Sequence, residues 1–115
     1  MSSTSHDSQL LKGVLSLVLL HLLAESESYG YELVAGVRKL GLVDLSEGTV
    51  YPALSRLERD GLLLSRKVAS TEGPPRKYYR LSATGNKQLA VRTQAWSSLV
   101  AIVDPLLRTR SETPA

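Results

Sequence analysis

At 115 residues the chain has room for one domain with tails, and so thin a core gains from burying surface against a second copy. Its 43% hydrophobic content excludes disorder throughout, and the lack of cysteine excludes disulfides and thiolate metal sites and fits a reducing compartment. A net charge of +3 and a pI near 9.4 suit an anionic partner.

In chain order, residues 1–8 are small and polar and are expected to form a disordered tail, with Ser8 able to cap a first helix. Residues 9–25 are apolar on nearly every face. A helix of that kind must be buried all round, either as a central core helix or between its own core and a partner chain. The run 10–24 is shorter than a membrane span and is interrupted by Lys12, Ser16 and His21. No basic start or A-x-A site marks a secretory signal, so a soluble cytoplasmic protein without membrane contact is expected.

Ser28 is placed to cap a second helix over about 29–40, with Leu33, Val34, Val37 and Leu40 at helical spacing and Gly41 closing it. Ser46 opens a third helix, and Glu47 suits its dipole. Val50, Leu54 and Leu57 make one buried face. Pro52 lacks a backbone donor and disfavours helical geometry at Tyr51, which predicts an irregular first turn. Gly61 ends the helix and Leu62-Leu63-Leu64 opens a strand reaching about Ala69. Residues 70–75 form a turn by composition, and Arg76 to Leu81 return as a second strand. Ser82 caps a last helix over 83–107, whose Leu89, Trp96, Leu99, Val103 and Leu106 are heptad-like. Pro105 is expected to kink or end it, and 108–115 to form a flexible tail. Helices followed by strand, basic turn and strand predict a mainly α fold with a two-stranded β-wing, a winged helix-turn-helix over 9–82 followed by one long helix.

Catalytic and metal chemistry are not advertised. His6 lies in the tail and His21 in an apolar helix, without a carboxylate cluster. There is no phosphate loop, H-E-x-x-H or nucleophile elbow, so no enzyme, metal or cofactor is expected. Charge is the stronger signal. From Arg56 to Arg80 seven Lys or Arg face three acids, a balance of +4 in a chain of +3. Each cation that meets a duplex phosphate releases counterions, and a helix fits the major groove.

The N-terminal part of a recognition helix usually reads the bases; here it offers Ser46, Glu47, Thr49, Ser55 and Arg56, with Gly48 permitting close backbone approach. Arg56 is the bidentate candidate. Arg76 and Lys77 are placed to reach phosphates or a narrow minor groove. The alternative is a winged-helix interaction module whose basic strip meets an acidic protein instead of DNA.

These residues resemble the PadR family of bacterial transcriptional regulators. The resemblance rests on Tyr29-Gly30-Tyr31-Glu32-Leu33, on Gly48 through Leu54, on Arg56 through Leu62, and on Arg76 through Ser82 with Gly85. It covers most of residues 10–90. Tyr31, Tyr51, Pro52 and Tyr78 of these motifs complete the expected DNA-contacting set. The resemblance implies a repressor that binds a palindromic operator as a homodimer. The single last helix looks like the small subfamily, where it packs on helix one of the partner and serves as a dimerisation helix. In some multidrug-sensing members, paired tryptophans from the corresponding region stack flat aromatic compounds at the dimer centre. Carried to this chain, Trp96 would contact a small planar aromatic effector, with Leu15, Leu19, Ala95, Leu99 and Val100 as lining. A Trp that seals the dimer core is the other possibility, and the absence of Phe leaves little further aromatic lining.

Overall fold

The computed structural model describes residues 8–112. Its elements are α1 (Ser8–Glu25), β1 (Ser28–Tyr29), α2 (Gly30–Lys39), α3 (Glu47–Arg59), β2 (Leu63–Val68), β3 (Arg76–Leu81) and α4 (Ala83–Glu112). His6 and most of the expected N-terminal tail lie outside the described residues, as do 113–115.

Helix α1 places Leu11, Leu15, Leu19 and Leu23 in the core at four-residue steps, with Leu20 beside them. Against this stripe pack Leu33, Val34 and Val37 of α2 and Val50, Leu54 and Leu57 of α3. The expected all-round burial of α1 does not occur within the protomer. Val14, Leu17, Val18 and Leu22 are only half-buried, although Val18 and Leu22 still pack against the core, and Leu10 is exposed.

Both core helices after α1 end in the same way. At α3, Gly61 takes φ 81°, a left-handed conformation that glycine adopts without a Cβ penalty. The N–H of Leu62 then reaches the Leu57 carbonyl at 2.9 Å and that of Gly61 reaches Glu58 at 3.0 Å, a Schellman closure. Gly41 and Leu42 repeat it on Arg38 and Val37. The turn at Gly61 delivers Leu62 and Leu63 to the core and starts the wing.

Strands β2 and β3 pair antiparallel from Leu63↔Leu81 to Val68↔Arg76. The sheet has a third strand, where the sequence predicts a helix cap and helix start. Ser28 pairs with Tyr79 and Tyr29 with Tyr78, giving the order β1-β3-β2. Two residues are too few to show a period of two. Tyr29, not Ser28, is therefore the N-cap of α2, and its N–H donates to the Glu32 carboxylate at 3.2 Å.

Helix α3 runs unbroken through Pro52. The expected irregular start does not interrupt it: the Ser46 carbonyl accepts both Thr49 N–H at 3.0 Å and Val50 N–H at 2.9 Å, a sharing common at helix ends. The Ser46 hydroxyl makes no capping bond. Ser82 does cap α4: its Oγ accepts from Gly85 N–H at 2.9 Å and donates to the Gly61 carbonyl at 2.6 Å. Nor does α4 stop near 107; it passes Pro105 and reaches Glu112. Pro105 removes one N–H, but the turn beyond it is held by Arg108 on Asp104 at 2.7 Å and by Thr109 Oγ1 on the Pro105 carbonyl at 2.8 Å.

Candidate nucleic-acid interface

Burying Val50, Leu54 and Leu57 turns the opposite side of α3 outward. Glu47, Gly48, Tyr51, Pro52, Ser55 and Arg56 are all exposed there, Ser46 is exposed just before them, and Thr49 is half-buried. Three clefts flank this face, and two of them join α3 to the wing and to α1. One, of about 450 Å³, is lined by Tyr31 from α2, Tyr51 from α3, Arg76 and Lys77 from the wing, and by Tyr29, Gly30 and Tyr79. It brings together four of the expected contact residues from three elements. The other, of about 350 Å³, lies between α3 and α1 and joins Arg56 and Thr49 to Lys12. Lys12 escaped the sequence reading because it sits alone in an apolar run.

Gly30 keeps the first cleft open. A Cβ there would run into the Tyr51 ring, so any side chain would displace a tyrosine of the candidate contact face. Partial burial and the nearby Glu47 carboxylate push the Tyr51 hydroxyl's pKa up.

The wing cations are not equivalent. On the outer face of the sheet the Arg76 guanidinium lies 4.5 Å from the Tyr29 ring centroid. Tyr29 meets Tyr78 at 5.2 Å between centroids, tilted by 60°, and Arg66 lies 5.9 Å from Tyr78. This cation–π ladder crosses all three strands and draws Tyr78, expected as a DNA contact, into the wing's own packing. Tyr29 is absent from the expected site residues; its place two residues before Tyr31 in the Tyr29-Gly30-Tyr31 run is the available signal.

Arg66 also forks onto Glu27, at 2.7 and 2.8 Å. That hydrogen bond leads in holding the Glu27 carboxyl below the usual range, with Arg80 adding to it. Lys77 pairs with Glu58 at 2.9 Å. Glu58 is held low first by the Ser65 hydroxyl and then by Lys77, and Glu58 in turn raises Lys77. Among the described residues no ion pair engages Arg56, Lys67 or Arg76.

The residues expected around an effector divide. Ala95, Trp96 and Leu99 are exposed on α4 and Val100 is half-buried, whereas Leu15 and Leu19 face the protomer core. None of the helices among the described residues is long and apolar enough to cross a membrane.

A winged helix with a cationic face has known relatives. The sequence profile of the "Transcriptional regulator PadR-like family" matches residues 19–91. A PadR-like transcriptional regulator of Bacillus cereus, known from its crystal structure, is 39% identical, with 86% of this chain and 96% of that one covered and a TM-score of 0.77. A PadR family regulator of Eggerthella lenta is 35% identical over 89% of this chain and 88% of that one, with a TM-score of 0.79. A transcriptional regulator of Mycobacterium tuberculosis is 34% identical over 88 residues, 76% of this chain and 80% of that protein. The chain belongs to the PadR-like family of transcriptional regulators.

Proposed function

We propose that the chain is a DNA-binding repressor that acts as a homodimer on a palindromic operator and is released by a small planar aromatic compound. The observation that carries this is an uncovered apolar row on α4. Trp96, Leu99, Val103 and Leu106 are exposed by 46, 55, 37 and 68%. Their spacing of three and four residues is that of a helix–helix seam, and a continuous apolar row marks an interaction surface. A second copy laying its own α4 and α1 there would cover this row and Leu10 together. A two-fold pair presents two α3 helices to one duplex, suited to half-sites about 34 Å apart, one helical turn.

On each protomer α3 would enter the major groove with Ser46, Glu47, Gly48, Thr49, Ser55 and Arg56. Arg56 supplies the bidentate base contact, Tyr31 and Tyr51 supply hydroxyls to the backbone, and Arg76 meets phosphates beside them. Trp96, with Ala95, Leu99 and Val100, offers an indole to a flat ligand at the dimer centre. Release needs a ligand that binds better to a dimer geometry with the wrong helix spacing, since equal affinity for both states shifts nothing.

A gel shift with DNA flanking the protein's own gene tests this, run with and without a planar cationic dye while Trp96 fluorescence is followed. The expected result is a dimer-sized shift, lost as the dye quenches Trp96. Absence of a shift would sink DNA binding and leave the basic face to an acidic protein. A shift that several unrelated dyes neither quench nor release would leave Trp96 as a dimer-core seal.

A further inference from the structure

Lys67 and Lys77 stand directly opposite each other near the wing tip. Like charges in that position destabilise a hairpin. The answer to them comes from the recognition helix. Glu58, in the last turn of α3, takes the Lys77 ammonium at 2.9 Å and the Ser65 hydroxyl. Ser65 belongs to β2 and Lys77 to β3, so one carboxylate ties α3 to both strands of the wing. The Lys77 ammonium also lies 5.4 Å from the ring centroid of Tyr79, a core residue. Its side chain therefore follows the core-facing side of the hairpin. Arg76, one residue earlier, takes the other face and stacks on Tyr29.

We propose that Glu58 and Lys77 form a latch that sets the angle between recognition helix and wing, leaving phosphate contact to Arg76 and Lys67. Lys77 is then a positioning residue, contrary to its expected role on DNA. The proposal rests on the duplex-binding function above. A cation already held by a carboxylate adds little counterion release when DNA arrives, because the salt dependence counts cations newly placed against phosphates. The pair is half exposed, and exposed pairs contribute little energy on their own; its consequence is geometric.

The test uses the full chain and a short duplex of arbitrary sequence, with affinity measured against salt concentration. Arg76→Gln should flatten the log–log slope by about 0.9. Lys77→Gln should leave the slope at the wild-type value. Glu58→Gln should steepen it, because Lys77 is set free. In the DNA-free protein, amide hydrogen exchange across β2 and β3 should quicken in Glu58→Gln and Lys77→Gln, and Lys77→Arg should restore it. A Lys77→Gln slope as flat as that of Arg76→Gln would overturn the latch, as would unchanged exchange in both latch variants. If the wild-type protein binds no duplex, the duplex-binding function fails, and the exchange measurement still decides the latch.

Discussion

The helix-turn-helix with its wing and the long helix α4 use leucine in opposite ways. In the first, Leu19, Leu20 and Leu54 are completely buried. In the second, Leu99, Leu106 and Leu107 are each more than half exposed. The first region finds its cover within the chain: α1, α2, α3 and the sheet enclose one core. Helix α4 spans 30 residues, about 45 Å at 1.5 Å per residue, and outruns the core it starts from. An apolar stripe thus identifies a face that must be covered, while the cover itself depends on what the rest of the chain can reach.

That contrast is open to substitution on both sides. Leu54→Ala opens a cavity where nothing can collapse easily, and should lower folding stability by about 2–5 kcal/mol, read by urea denaturation. A loss under about 1 kcal/mol would mean the core is less closed than its burial indicates. Leu99→Glu alters a side chain that is 55% exposed in the protomer. It places a charge in the seam expected between two copies, where an unpaired charge is strongly disfavoured. Self-association should weaken by about 100-fold, or about 2.7 kcal/mol, in analytical ultracentrifugation. A variant that sediments like the wild type would leave the α4 row without a partner copy.

Legibility in the sequence follows the same division. The core helices could be read because their apolar spacing and terminal glycines are local signals: Leu54 and Gly61 carry their meaning within one or two turns. The contact face could be read as the complement of that buried stripe. What escaped depends on residues far apart in the chain. Tyr29 gains its place from pairing with Tyr78, and Arg66 from Glu27, 39 positions away. Lys77 looked like a free cation because its partner lies on another element. Pro105 looked like a helix end because a missing donor is local, whereas the bonds that carry α4 past it become evident only in the folded turn. Leu15 and Leu19 looked available to a ligand because an all-round apolar helix does not reveal which side its own core takes.

Acid should expose the Glu58 network as a small effect belonging to the wing and not to the α4 seam. The Glu58 pKa is lowered below its ordinary value of 4.5 by Ser65 and Lys77. With the folded pKa below the unfolded one, the unfolded chain binds more protons between the two values, so stability rises with pH there. The contribution is fully present above about pH 4.5 and is lost as pH falls through the lower folded value. Glu58→Gln cannot titrate and should show a shallower loss of stability on acidification. Measuring both proteins in the Leu99→Glu background, at low protein concentration, keeps any self-association out of the comparison. The difference in slope should survive there, because Glu58, Ser65 and Lys77 all belong to one protomer. Identical acid profiles would mean that the carboxylate is bonded as strongly in the unfolded chain, or that the wing moves away from α3 in solution.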